Sequence, residues 1–357
     1  MKKTSLYAEI PMRNIGPVKM TGPVLQAELN IPLATFETPL WPSTNRGAAV
    51  SRVSGGIRTV IVDDRMTRSV LVEGDDADYV SKAAAALRGY REELMAVVAE
   101  TSRFACLENW HTQIVGNLLY IRFEMTTGDA AGHNMTTKAA DALLNWIIKR
   151  FPKLRYVSVS GNFCTDKKVS AVNGILGRGK YVVADIVIPR AICERHLKTT
   201  PEKIVNLNIK KNLIGTMLAG GIRSANAHFA NMLLAIYLAT GQDAANIVEG
   251  SQGMVHAELR DGDLYFSVTI PNVIVGTVGN GKQLPFVKEN LAQLGCLEPR
   301  AAGQNSRRLA AIVGAVVLCG ELSLLAAQTN PGELMSSHLR LERLELEKQE
   351  EKEAAGI

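Results

Sequence analysis

From Leu309 to Ala327 the chain reads LAAIVGAVVLCGELSLLAA, apolar on every face with Glu321 inside it. A helix that is apolar all round is buried in a core or spans a bilayer. Glu321 and the lack of a companion span favour the core, so the pattern predicts a central helix wrapped by the rest of the protein. Elsewhere the periodicity is mixed. Residues 76–102, DADYVSKAAAALRGYREELMAVVAETS, carry apolar positions at helical spacing behind an Asp. LENWHTQIVGNLLYIRFEMTT predicts two strands about a Gly-Asn turn, and NMTTKAADALLNWIIKRFP an amphipathic helix ended by Pro152. With a strand before and a strand after, Ser69 to Ser158 reads β-α-β-β-α-β, the order of a ferredoxin-like unit.

Around that unit, AVSRVSGGIRTVIVDDRMTRSVLVE predicts a helix end, a Gly-Gly turn and two strands, and the first forty residues predict irregular structure with brief strands. GKYVVADIVIPRAI predicts strand, GIRSANAHFANMLLAIYLATGQD one long helix, and LYFSVTIPNVIVGTVGNGK strands ending in a Gly-rich loop. The resulting expectation is an α+β protein. Residues 1–68 and 159–357 form a large mixed domain around the central helix, residues 69–158 a small inserted dinucleotide-binding α/β domain, and 339–357 a charged helical tail.

Composition adds bounds. The 357 residues are 46% hydrophobic and 21% charged, which excludes global disorder, and 40 Lys+Arg against 35 Asp+Glu give a net charge of +5. That excess suits a phosphate- or carboxylate-bearing ligand, but no basic run marks a nucleic-acid arm. Cys106, Cys164, Cys193, Cys296 and Cys319 are scattered and odd in number, with one C-x-x-H at Cys193 and His196, so neither a metal nor a disulfide framework is expected. Reduced thiols and an N-terminus without an apolar run predict a cytoplasmic protein with no membrane association.

Several short stretches could carry chemistry. TGDAAGHNMTTK (Thr127 to Lys138) joins a strand to a helix, and its small residues let an anion such as a pyrophosphate approach free N–H groups. A capped glycine turn would read the same way, and the G-x-G-x-x-G fingerprint is absent. Ser102 and Arg103, just after a helix, could hold a ribose 2′-phosphate or be surface residues. Ser43, Asn45 and Arg46 precede an apolar helical run, where phosphate binding and capping both fit. GTVGNGK is a second flexible loop after a strand. VSGNFCTDKK breaks an apolar strand and gathers Asp166, Lys167 and Lys168, as a site that polarises a carbonyl would. Glu37 in apolar LATFETPLW, Asp243 after a helix and His338 near the end are titratable groups suited to proton transfer, or to ion pairs and caps.

Taken in order, STNRG, DRMTRS, TSRFA, GDAAGHNM, SGNFCTDKK, GRGK, NIKKNLIGTMLAGGI, NAHFAN, GQDAAN and GTVGNG resemble the series found in the catalytic portion of 3-hydroxy-3-methylglutaryl-CoA (HMG-CoA) reductases. The resemblance runs from about Ile31 to His338 and is nearer the eukaryotic and archaeal branch than the divergent bacterial one. It implies a four-electron reduction of HMG-CoA to mevalonate and CoA through a mevaldehyde-level intermediate. Lys167 would stabilise the oxyanion, Glu37 donate a proton, Asp243 tune both, and His338 protonate the CoA thiolate. Arg68, Ser160, Asp166, Lys168, Lys211 and Asn231 match positions around the HMG group, and Ser43, Asn45, Arg46 and Lys198 the CoA side. Ser102, Arg103, Phe104, Asp129, Gly132, Asn134 and Met135 match the dinucleotide site, with Val278 and Gly281 nearby, and His228 matches a histidine near the catalytic group. The resemblance implies NADP(H), with NAD(H) as the alternative, no metal, and a homodimer or homotetramer with active sites between subunits.

The chain departs from the family pattern at identifiable points. DAMGMNM has become DAAGHNM, placing His133 and Ala131 where methionines line the cofactor, and Thr38 and Pro39 follow Glu37. DGMTRGP is now DRMTRSV, and an early Glu-Asn-x-x-Gly survives as RNIG. The competing readings are a reductase for another branched acyl-CoA and a silent homologue that binds CoA or dinucleotide.

Overall fold

The computed structural model describes residues 7–336 and 339, so His338 and nearly all of the expected tail lie outside the described residues. The N-terminal segment is more regular than its Pro and Gly content suggests. Strands β1 (Met12–Thr21) and β2 (Gln26–Ala34) form an antiparallel hairpin. Helix α1 (Leu40–Val53) follows, then β3 (Arg58–Glu73). The expected pair of strands at this point is one 16-residue strand. Its first half pairs with β7 (Gly179–Ile188), its second half with β5 (Leu118–Thr126) and β6 (Arg155–Ser158). No turn chemistry separates the halves, because DDRMTR contains neither Gly nor Pro.

This strand joins everything else. With β4 (Cys106–Val115), β8 (Met254–Arg260) and β9 (Asp263–Val273) the sheet runs β4-β5-β3-β7-β9-β8, with β6 on the free side of β3, and every pairing is antiparallel. Helices α2 (Ala77–Ala86) and α3 (Arg91–Thr101) replace the single helix expected over 76–102. A tight turn at Leu87–Tyr90 breaks it, and Asp76 caps its start by accepting from the Tyr79 N–H. With α4 (His133–Arg150) they cover strands β3 to β6 and enclose one apolar cluster that includes Val70, Leu94, Phe123 and Leu143.

A second, larger cluster surrounds the helix Gln304–Gln328. Ninety-four per cent of its most apolar window is buried by protein, the answer to the bilayer alternative. Glycines set how closely its neighbours approach. A Cβ on Gly47 of α1 would lie 2.2 Å from the Cys319 carbonyl oxygen, one on Gly314 2.5 Å from Val182 of β7, and one on Gly320 2.4 Å from the Met232 sulfur. Met232 belongs to the helix Phe229–Ala239, which is shorter than the sequence predicted: residues 221–228 are irregular, with Arg223 left-handed at φ 52°. Glu321, wholly buried, explains that start. Its carboxylate accepts from the N–H groups of Ala227 (2.9 Å) and His228 (2.6 Å), fixing the two residues that lead into the helix.

Candidate active site

Three consecutive charged residues, Asp166 to Lys168, leave the same loop in three directions. Asp166 Oδ1 accepts from Arg178 Nη2 at 2.8 Å, Lys167 Nζ pairs with Asp243 at 2.8 Å, and Lys168 Nζ folds back on the Asp166 carbonyl at 3.0 Å. The loop holds left-handed backbone at Asn162, Thr165 and Lys167 (φ 58°, 38° and 56°), each about 1 kcal/mol or more above an ordinary conformation. Something must hold it, and two buried residues do. Arg178, 1% exposed, binds Asp166, the Thr67 carbonyl (2.5 Å) and, through Nε at 3.5 Å, Glu249. Glu249 in turn accepts the Lys167 backbone N–H at 3.1 Å and the Asn246 amide at 3.0 Å. Neither Arg178 nor Glu249 was singled out by the sequence, although Arg178 lies in the quoted GRGK.

Asp243 reaches Lys167 from the turn after the helix Phe229–Ala239, where left-handed Gly241 redirects the chain and the Asp243 carboxylate also accepts from the Ala245 N–H. Burial alone would raise the Asp243 pKa. The Lys167 and Ala245 hydrogen bonds outweigh it and hold the carboxyl below its usual range, while the Asp243 hydrogen bond raises Lys167. The pair is therefore an ammonium and a carboxylate at neutral pH. His133, the first residue of α4, completes the cluster. Its Nε2 lies 3.8 Å from Asp166 Oδ1, and burial lowers the pKa of the ring.

Glu37 lies elsewhere. It is exposed rather than enclosed by its apolar neighbours, and its carboxylate accepts from the Asn231 amide at 2.7 Å. Together they line a cavity of about 500 Å³ shared with Ser43, Arg46, Lys198 and His228. Ser43 and Arg46 lie within α1 rather than ahead of it. The Arg46 guanidinium binds Ser323 through its hydroxyl (3.0 Å) and carbonyl (2.7 Å), and pairs with Glu333 at 2.7 Å. Asn45 is turned away from the cavity and holds the β1 bend by accepting from the Gly16 N–H. Lys211 does not line the cavity; it is half-buried near Glu321, its ammonium depressed by desolvation and its Nζ on Asn212. Arg68 donates to the Val159 carbonyl at 3.2 Å, and exposed Ser160 accepts from Ser158 through its carbonyl.

A second cavity, about 310 Å³, opens beside β5. Arg103 and Phe104 line it, the guanidinium 4.6 Å from the ring centroid, and the Ser102 hydroxyl accepts from the Phe104 N–H. Its other wall, unforeseen from sequence, is Asp64 and the start of the central helix at Gly303, Gln304 and Arg307, so the cavity is not confined to residues 69–158. Gly132 starts α4 at φ 99°, where a Cβ would lie 2.7 Å from Thr127. Asn134 is exposed, whereas Met135 packs against the smaller core. Val278 pairs with Ala130, and Gly281 closes on Gly241. Asp129, matched to the dinucleotide site, uses both carboxylate oxygens to cap the central helix. They accept from Gly303 (3.0 Å) and Ser306 (2.8 Å).

These cavities and the Lys167 cluster can be set against known proteins. The family model for hydroxymethylglutaryl-coenzyme A reductase matches residues 5–343. The chain belongs to that family. The 3-hydroxy-3-methylglutaryl-coenzyme A reductase of Pyrococcus abyssi is 46% identical over 326 residues, 89% of this chain and 79% of its own length. That of Aeropyrum pernix is 42% identical, covering 94% and 80%. The Strongylocentrotus purpuratus enzyme is 41% identical over 94% of this chain, which matches 36% of that longer protein. A class II reductase of Streptococcus pneumoniae, solved bound to NADPH in open conformations, shares the fold at a TM-score of 0.73 over 92% of this chain and 88% of its own, with 18% identity. The higher archaeal and eukaryotic identities agree with the branch read from the motifs. Among the described residues no His, Cys, Asp or Glu group is arranged to hold a metal.

Proposed function

We propose that this HMG-CoA reductase family member reduces the thioester of HMG-CoA to mevalonate and CoA, and that two copies of the chain build each active centre. The observation that carries the reading is the 2.8 Å Lys167–Asp243 pair, standing apart from the Glu37–Asn231 cavity in the same chain. One half holds an ammonium to receive an oxyanion; the other holds an acid and the cations for a phosphate-bearing carrier. A reaction that needs both is completed when the Lys167 half of one copy meets the Glu37 half of another. Ile209, Leu213, Ile214, Met217 and Leu218 support this. They are exposed apolar residues close together in sequence, with Met217 at 73% and Leu218 at 87%, the kind of surface that a partner subunit covers.

The half-sites suit a nicotinamide dinucleotide, because Gly132 keeps the start of α4 open and Arg103 presents an exposed guanidinium over Phe104. Bound there, the dinucleotide supplies a hydride in each of two successive reductions. Lys167 donates to the thioester oxygen as it becomes an oxyanion, an interaction worth about 3 kcal/mol in a dry site. Asp243 keeps that ammonium charged and aimed. Collapse of the hemithioacetal expels a thiolate of pKa about 8.5, for which the His338 imidazole is a matched acid. Glu37, held by Asn231, protonates the alkoxide left by the second reduction, so the two protons consumed come from an imidazole and a carboxyl. Ser43 and Lys198 hold the CoA side, and Arg46 does so once released from Glu333. NADPH is the preferred coenzyme in this reading: the cations Arg103 and Arg307 line the second cavity and suit a 2′-phosphate, and the Streptococcus pneumoniae relative was solved with NADPH.

Oxidation of NADPH followed at 340 nm with HMG-CoA tests the reaction, and no oxidation with either coenzyme would overturn it. Sedimentation tests the assembly, and an active monomer would refute the shared centre.

A further inference from the structure

His133 is the one departure in the dinucleotide loop that brings a titratable group to the Lys167 cluster, and the reaction above gives it no task. Its Nε2 is buried without a hydrogen-bond partner, 3.8 Å from the Asp166 oxygen that Arg178 holds at 2.8 Å. The charged groups that act on it are Asp166 and Lys167 from the loop, Arg178 from the approach to β7, and Asp243 from the turn after the helix Phe229–Ala239. With the ring neutral, the cations Arg178, Lys167 and Lys168 stand against the anions Asp166, Asp243 and Glu249. A proton on His133 adds a fourth cation and a second claimant for the Asp166 oxygen.

We propose that His133 is a positioning residue for Lys167. Neutral, it leaves Asp166 to Arg178, which holds the left-handed loop; protonated, it draws Asp166 away and lets the Lys167 ammonium move off the reacting carbonyl. The inference rests on the assignment of Lys167 as oxyanion donor. Burial, then Arg178, lowers the ring below its ordinary 6.5, so the neutral form is the working one at neutral pH. The sign follows. Turnover is full above that value and falls as pH drops through a lower midpoint, opposite to the limb expected from an imidazole that acts as an acid.

The test is the pH profile of HMG-CoA reduction by the full chain, each variant normalised to its own plateau. Wild type is expected to lose about tenfold one unit below the midpoint, whereas His133→Met and His133→Gln stay level over that range. An unchanged acid limb in both variants would overturn the proposal and pass the limb to the buried Glu249, whose carboxyl burial raises. A second readout needs no turnover: the ring NMR titration of His133 in wild type and Asp166→Asn. The carboxylate favours the imidazolium, so the variant midpoint is expected to fall by about half a unit or more. Equal midpoints would sink the coupling even if HMG-CoA is not the substrate. Absence of turnover in every protein, with the NMR shift present, would refute the proposed reaction alone.

Discussion

The two half-sites are built to different tolerances. Lys167 and Asp243 are themselves exposed, but the loop that carries Lys167 is backed by two buried residues, Arg178, 1% exposed, and Glu249, wholly enclosed. Around Glu37 the carboxylate is exposed and accepts from Asn231, and Arg46 is occupied by a carboxylate of the same chain. A group that must meet a developing charge within a few tenths of an ångström needs a rigid support. A cavity that admits and releases a large carrier needs the reverse.

The sharpest way to break that contrast is to destroy each half separately. Lys167→Ala is expected to lose 10²- to 10³-fold in kcat, of the order seen for one oxyanion donor, while calorimetry still detects CoA. Full activity would refute the role. Mixed with an equally inactive Glu37→Gln protein and allowed to exchange subunits, it should recover about a quarter of wild-type activity, since half the dimers are hybrid and each has one intact centre. No recovery would place both halves in one chain. Removing the hidden support comes next. Arg178→Gln strands Asp166 and Glu249, and loss of one partner from a buried pair costs about 3–5 kcal/mol, measurable as a lower Tm with reduced kcat. Arg103→Ala should raise KM for NADPH at least tenfold more than for NADH, and equal effects would end the 2′-phosphate assignment. Smallest is Glu333→Gln, which frees Arg46 and should tighten CoA binding a few-fold, by calorimetry; unchanged affinity would show that the ion pair does not compete.

Legibility divided along similar lines. Periodicity identified the central helix and the β-α-β-β-α-β order, because these segments are long and their apolar faces continuous. It missed the unity of β3, since a strand that changes neighbours at mid-length has no local signature, and it overextended the helix Phe229–Ala239, whose start depends on Glu321, 94 residues from Ala227. The charged loop and its Asp243 partner were legible as motifs; their buried supports were not. Glu249 and Glu333 look like ordinary surface acids in sequence, and only the fold reveals their partners. Asp129, recognised only as part of a motif, also fastens the start of a distant helix, a contact the sequence does not reveal.

That helix has a further consequence. Gly47, Gly314 and Gly320 mark three close crossings: α1 meets the helix backbone to backbone at Gly47, while Val182 of β7 and Met232 of the helix Phe229–Ala239 press side chains onto Gly314 and Gly320. One residue inserted between positions 314 and 320 would swing one set of crossings about 100° from the rest. Drift in this part of the molecule is thus confined to exchanging side chains at constant length, and lineages should differ there in spelling but not in spacing.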